Sequence, residues 1–328
     1  MSTMLEVINL KKYFDVANGG KLHAVDDVSF KIEKGETLGI VGESGCGKST
    51  LGRAVLRLHE PTAGKVIFDG MDITSFSKEE MRLMRREMQI IFQDPYASLN
   101  PRYTISQIIE EPLKLHNIYK NPSERRDKVE ELMNLTGLSM RMFNMYPHEF
   151  DGGRRQRVVI ARALALNPQF IVCDEPVSAL DVSVQAQIIN LMMELQEKLG
   201  LTYIFISHDM SVIKHISTNV GVMYLGQMIE KAPKEEIFRR PIHPYSIALL
   251  SAIPSTNVRE KKEKIILHGE IGSPVNPKPG CRFAPRCPFA TELCQSATPG
   301  FREILPGHFV ACHRSEEVLS GELSFTRS

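Results

Sequence analysis

The sequence predicts an α/β fold. A parallel core sheet carries helices between its strands, an antiparallel β layer precedes it, a helical segment is inserted over about 95–150, and a small cysteine-bearing extension closes the chain. Three observations lead there. "LGIV", "FIVCDE" and "YIFISHD" are continuous apolar runs, the second and third ending in polar residues, as expected of parallel strands buried on both faces. Helical periodicity lies between such runs, notably over 182–199. Four of the 6 cysteines crowd the last fifth of the 328 residues.

Taken in order, the first 75 residues read as strands with turns: "LEVINLKKYF", "AVDDVSFKIEKGE" and "GKVIFDGMDI" alternate and are punctuated by glycine, as antiparallel strands are. "MQIIFQD" is a short buried strand, and from about 100 to 165 charges interleave at helical spacing. A basic run, "REKKEKI", follows residue 258, and the Pro/Gly-rich "GEIGSPVNPKPG" comes after it. This shift marks a boundary near 255 and divides the chain into residues 1–255 and an extension, 256–328.

Bulk properties narrow the function. Hydrophobic content of 42% with 24% charged residues is ordinary for a soluble globular protein. With 40 basic and 39 acidic residues the net charge is +1, which leaves no global nucleic-acid footprint. No apolar run approaches the ~20 residues of a membrane span, and the N-terminus lacks the apolar centre of a signal peptide, so a cytoplasmic chain is expected.

The stretch "VGESGCGKST", residues 41–50, fits G-x-x-x-x-G-K-[ST]. Its glycines (Gly42, Gly45, Gly47) let the loop curl so that backbone N–H groups, including those of Ser44 and Cys46, point at phosphate oxygens, and the following helix adds its positive end. Lys48 is expected to reach the β- and γ-phosphates, Ser49 to ligate Mg2+ and Thr50 to touch the α-phosphate. A nucleotide loop needs a second, acidic strand end, and "FIVCDE" supplies it. Asp174 is the candidate Mg2+ holder, and Glu175 the base that polarises the attacking water. His208 ends "YIFISH" and Gln93 ends "MQIIFQ", where a parallel sheet presents residues to a nucleotide. His208 is placed to donate to a γ-phosphate oxygen and Gln93 to contact Mg2+ and water.

These residues, with "DGGRRQRVVIARAL" and "DEPVSALD", resemble the ATPase subunits of ABC transporters. The nearer resemblance is to the oligopeptide/dipeptide importer branch, through "GESGCGKST", "IFQDPYASLNPR", "YPHEF.GG..QR", "DEPVSALDVSVQAQ", "HPYS.ALLSAIP" and the terminal cysteines, and it covers residues 1 to about 315. The resemblance implies a P-loop NTPase fold of ABC type and an ATP sandwich, in which each subunit's P-loop faces the signature motif of a second ATPase subunit. It implies that Phe14 or Tyr13 stacks on adenine, that Gln93 is the Q-loop residue, Asp181 the D-loop aspartate and His208 the switch histidine, and that the signature carries Gly153. It further implies two transmembrane permease subunits that dock on the helical part, an extracytoplasmic binding protein met indirectly, and residence at the cytoplasmic face of the membrane.

One departure stands out. The family signature reads Leu-Ser-Gly-Gly-Gln, whereas this chain reads Phe150, Asp151, Gly152, Gly153, Arg154. An ionised Asp151 cannot donate to a partner's γ-phosphate, and like charges a few Å apart and partly shielded repel by about 4 kcal/mol. On this reading a heterodimer is expected, in which the partner supplies the serine. On the other reading Asp151 is a favourable N-cap of an ordinary helix.

Cys281, Cys287, Cys294 and Cys312 follow C-x5-C-x6-C-x17-C. This spacing is wider than the pairs of structural zinc sites, and four thiolates suit a [4Fe–4S] cluster. The resemblance favours iron–sulfur; zinc and two disulfides are the alternatives. Changes at Cys287 or Cys312 are expected to act on the extension and to spare ATP binding.

The expected function is ATP hydrolysis that powers uptake of di- and oligopeptides through a membrane permease. Oligosaccharide or nickel cargo is the first alternative. A soluble ABC ATPase acting on DNA or ribosomes is the second, disfavoured because about 100 residues without sustained heptads separate P-loop and signature and because there is a single P-loop. A regulatory subunit without turnover is disfavoured by Glu175 and His208.

Overall fold

The computed structural model describes residues 2–17, 19–253, 265–270 and 272–325. Two compact units are interleaved along the chain: one is Met1–Met4, Glu33–Glu36 and Ser75–Ile206, the other Leu5–Ile32, Thr37–Thr74 and Ser207–Ser328.

The first unit holds three parallel strands with Phe170–Asp174 in the middle, flanked by Met88–Ile91 and Thr202–Ile206. Ile91 pairs with Cys173 and Asp174 with Ile206, which sets the polar strand ends side by side. Every residue of Phe170–Asp174 and Thr202–Ile206 is buried, which is why both read as unbroken apolar runs. Helices Ile105–Leu115, Pro122–Leu135 and Gly152–Leu164 pack on one another between the first two strands in sequence. Their starts are encoded locally. Thr104 and Gln107 form a capping box, Asn121 caps a helix with proline in its first turn, and Asp151 caps the third. Ile105, Ile108, Ile109 and Leu113 line the buried face of the first helix at the spacing that puts one stripe inward. Val182–Leu199 returns the chain to the sheet and ends at Gly200, whose φ of 65° suits glycine at a helix end.

The second unit holds the antiparallel layer, in the order Lys21–Glu33, Thr3–Asp15, Ala63–Phe68, Met71–Asp72, with Leu5 opposite Phe68 and Ile8 opposite Lys65. Thr37–Val41 runs parallel to Asn219–Tyr224, and that strand forms a hairpin with Gln227–Pro233. The C-terminal extension then adds two strands to the same edge. His308–Val310 pairs antiparallel with Gln227–Pro233, and Arg302–Leu305 pairs with His308–Val310.

Buried side chains also tie the extension to this sheet. Fully buried Glu230 accepts from the backbone N–H groups of Ile242 (2.7 Å) and His243 (2.9 Å), and its Oε1 lies 2.7 Å from Nε2 of His308, also fully buried. These bonds satisfy carboxyl oxygens that would otherwise be costly to bury. The boundary expected near 255 and the basic run 259–264 lie outside the described residues. No helix among the described residues is long and apolar enough to cross a membrane.

Candidate ATP site and cysteine centre

Residues 42–47 turn between the strand Thr37–Val41 and the helix Lys48–Val55, so an apolar strand delivers the loop directly to a helix N-terminus. Gly47 sits at φ 104° and caps the helix; a Cβ there would run into the carbonyl oxygen of Ala24, so only glycine fits. No acidic residue occupies the first helical turn, which leaves its positive end available to an anion. Lys48 is 4% exposed, with Nζ 2.9 Å from the carbonyl oxygen of Gly42 and 3.0 Å from that of Glu43. Ser44 and Gly45 are exposed at the loop tip, Ser49 and Thr50 half-buried beside Lys48. Burial raises the Cys46 thiol above its usual value, against the pull of the nearby Lys48 charge.

In the first unit Asp174 is 1% exposed at its strand end. Glu175 follows at φ 48°, a left-handed backbone that a non-glycine residue adopts at a cost of order 1 kcal/mol or more. Its N–H donates to the Ile206 carbonyl at 3.1 Å, and Gln93 Nε2 donates to its carboxylate at 3.1 Å. The structure thus brings Gln93 and Glu175 together, two residues 82 apart in sequence. Asp181 is exposed and stands as N-cap of Val182–Leu199.

Asp151 Oδ1 accepts from the backbone N–H of Arg154 at 2.8 Å, and its Oδ2 lies 3.4 Å from Arg154 Nε. The cap expected on one reading is formed. A Cβ on Gly153 would press on Val184, and one on Gly152 on Leu180, so the glycine pair allows close packing there. In the second unit His208 is exposed, next to Asp209, which caps Met210–Ile216.

Tyr13 stacks on His23 at 3.8 Å between ring centroids, and its hydroxyl donates to Asp26. Phe14 meets His59 edge-on at 5.4 Å, with Lys12 Nζ 4.8 Å from its ring centre. Burial, followed by the hydrogen bond to Asp26, holds the Tyr13 hydroxyl in its protonated, donating form.

All six cysteines are free thiols. Cys281, Cys287, Cys294 and Cys312 line one cavity of ≈ 10 Å³ beneath Phe283 and Phe289. Burial first, then the neighbouring thiols, pushes Cys287 up to about 11 and Cys312 up to about 12, and burial raises Cys281 as well. Such desolvated thiols ionise only beside a cation, the environment that a bound metal provides. Among the described residues no group of three or more His, Cys, Asp and Glu side chains is arranged to hold a metal ion. A single zinc would need each sulfur about 2.3 Å from one point.

The chain matches the ABC transporter family over residues 25–178 and the C-terminal region of oligopeptide/dipeptide transporters over 229–294. It is 56% identical to the oligopeptide transport ATP-binding protein AppF of Bacillus subtilis, with 95% of this chain and 97% of that one covered. This chain belongs to the ABC transporter ATP-binding family. The dipeptide transport ATP-binding protein DppF of Haemophilus influenzae is 50% identical, with 94% and 96% covered. Among solved structures, a dimeric ATP-binding cassette bound to ADP and Pi superposes with a TM-score of 0.64 at 30% identity, covering 70% of this chain and 99% of the other. The cbiO1 protein of Clostridium perfringens gives 0.65 at 27% identity, covering 76% and 94%. The fold is that of an ABC ATPase, for which ATP and Mg2+ are the expected ligands.

In this ABC ATPase the contacts that sequence reasoning missed gather around Glu43. Its N–H donates to the Tyr245 hydroxyl at 2.9 Å, and both carboxylate oxygens accept from Arg286 Nη1 at 3.0 and 2.9 Å. Tyr245 belongs to the "HPYS" stretch and packs with Tyr224 and Phe283 at 4.8 and 5.5 Å between centroids. Only the stretch itself was a signal; nothing in it points to residue 43.

Proposed function

We propose that the chain binds Mg·ATP on residues 42–50, hydrolyses it with Glu175, and thereby drives import of di- or oligopeptides through a membrane permease. Lys48 and the loop N–H groups hold the phosphates, and Tyr13 or Phe14 stacks on adenine. Ser49, Asp174 and Gln93 supply the oxygen donors for Mg2+, which would neutralise charge on the β- and γ-phosphates. Glu175 polarises the attacking water and takes its proton. The water oxygen bonds to the γ-phosphorus as the bond from that phosphorus to the bridging oxygen breaks, so inorganic phosphate and ADP are the products, and His208 donates to the γ-phosphate oxygens during the transfer. The hydrogen bond from Gln93 supports this assignment, since it aims the Glu175 carboxylate without protonating it.

The observation that carries the cargo class is the match of residues 229–294 to the oligopeptide/dipeptide transporter C-terminal region. On our reading the subunit pairs with a second ATPase through the signature at Asp151 and Gly153 and through Asp181. That second subunit is a different chain with serine at the position of Asp151. The pair sits against two permease subunits at the cytoplasmic face of the membrane, and a substrate-binding protein delivers cargo from the other side. Cys281, Cys287, Cys294 and Cys312 hold a [4Fe–4S] cluster, which would remove the cost of burying four thiolates and tighten the segment.

The test is co-purification with the permease subunits, followed by ATPase assays with peptide, oligosaccharide and nickel offered in turn. Stimulation by peptide alone is expected; stimulation by another cargo replaces the assignment.

A further inference from the structure

The segment Cys281–Cys287 does more than carry two thiols. It also carries two arginines, each next to a cysteine, and both reach the nucleotide-binding half of the unit. Arg286, 9% exposed, grips both oxygens of Glu43 and lies 3.3 Å from the Tyr224 hydroxyl. Arg282, 8% exposed, bonds the Leu225 carbonyl and the Asp26 carboxylate. Asp26 in turn accepts from the Tyr13 hydroxyl and lies 3.1 Å from His23 Nδ1. One arginine therefore ends on the phosphate loop, and the other on Asp26, the carboxylate that accepts from the hydroxyl of a tyrosine proposed for adenine. Between them Phe283, 1% exposed, is fixed among Tyr224, Tyr245 and His243.

Glu43 is the residue through which this reaches the ligand. Its carbonyl holds Lys48 Nζ, its N–H is bound by Tyr245 and its carboxylate by Arg286, so three of its groups are anchored at once. A carboxylate one residue past Gly42 adds negative charge to a loop meant for a triphosphate. A guanidinium on both its oxygens offsets that charge and fixes the loop's first turn.

We propose that Arg286, with Arg282 beside it, is a positioning residue for the ATP site, so that the cysteine segment sets the affinity of the phosphate loop. This rests on the assignment of residues 42–50 as the ATP site. It replaces the expectation that the extension and the loop act separately.

The test uses the full-length Glu175→Gln chain, in which turnover does not interfere, titrated calorimetrically with Mg·ATP and melted without nucleotide. Arg286→Met should weaken Mg·ATP binding by about tenfold or more, the loss typical of stranding one partner of a charged hydrogen bond. Glu43→Gln should weaken it less than about threefold, and Arg286→Met added to Glu43→Gln should cost no further affinity, although both lower the melting temperature. Arg286→Met with unchanged affinity and a lowered melting temperature would make the pair a mere staple and overturn the proposal, as would an undiminished affinity loss in the Glu43→Gln background. Should Arg286→Met not fold, Arg286→Lys carries the test: roughly threefold weaker binding is expected, because lysine keeps the charge but loses the planar guanidinium geometry toward the Glu43 carboxylate and the Tyr224 hydroxyl, and unchanged binding overturns it. Lys48→Ala is the control. If it still binds Mg·ATP normally, the assignment of the ATP site itself fails, a different result from an Arg286 variant that binds normally while Lys48→Ala does not.

Discussion

Replacing Asp151 separates two roles that its geometry allows together. The Oδ1 atom caps a helix by accepting from Arg154 N at 2.8 Å, while Oδ2 sits 3.4 Å from Arg154 Nε with the two side chains 61% and 51% exposed. Losing such a cap costs about 1 kcal/mol, losing a negative charge at a helix N-terminus a further 0.3 to 1 or so, and the exposed ion pair little. Asp151→Ala should therefore destabilise the chain by about 1–2 kcal/mol and lower its melting temperature by roughly 2–6 °C. Asp151→Ser keeps an equivalent cap and should lower it by no more than about 1–2 °C. The second role is electrostatic. If Asp151 faces a partner's γ-phosphate, both variants remove a like charge, and Asp151→Ser restores a donor. Sedimentation of Glu175→Gln protein with Mg·ATP should then show self-association strengthened by about tenfold or more in Asp151→Ser. A tight ATP-dependent homodimer with Asp151 in place would refute the repulsion argument and the heterodimer built on it. Unchanged melting of Asp151→Ala would refute the value assigned to the cap.

Further outcomes are expected at three places. Glu175→Gln should bind Mg·ATP normally and lose turnover by ~10²-fold or more in the assembled transporter; near-normal turnover removes Glu175 from the role of base. Burial pushes His243 down to about 4 from 6.5, despite nearby Glu230. The folded chain therefore binds fewer protons than the unfolded one between those values, and stability should be full above pH 6.5 and fall by up to about 3 kcal/mol as pH drops toward 4. His243→Asn keeps the cap on Tyr245 N and should flatten that part of the urea-midpoint profile against pH; an unaltered profile excludes His243 as the source. Anaerobically purified protein should carry iron and sulfide near four each per chain, and stoichiometric zinc in colourless protein would contradict the cluster.

The phosphate-loop pattern was legible because it is local. A phosphate loop needs its glycines, lysine and hydroxyls in consecutive positions. Phe170–Asp174 and Thr202–Ile206 are buried on both faces and so read as unbroken apolar runs. The short helix Lys78–Met84 passed unnoticed, although Ser77 and Glu80 spell out its capping box. The hairpin Asn219–Tyr224/Gln227–Pro233 was missed because its turn at Leu225 and Gly226 lacks the usual signals. The extension misled for a different reason. Its strands Arg302–Leu305 and His308–Val310 are too short to show a period. What ties it down are pairs such as His308 with Glu230, 78 residues apart, and Arg286 with Glu43, 243 apart. Such distant side-chain contacts leave no periodicity to read. Pairing of Asp151 with Arg154 was within reach, since a cap spans only three residues.

Peptide-stimulated ATP hydrolysis by the assembled transporter tests the account most directly. The chain is reconstituted with its permease subunits, its partner ATPase and the peptide-binding protein, and phosphate release is followed with and without peptide. The account predicts that peptide raises the rate, that Glu175→Gln abolishes the increase, and that peptide accumulates on the far side of the membrane in step with hydrolysis. A rate indifferent to peptide, or one that survives Glu175→Gln, would contradict it.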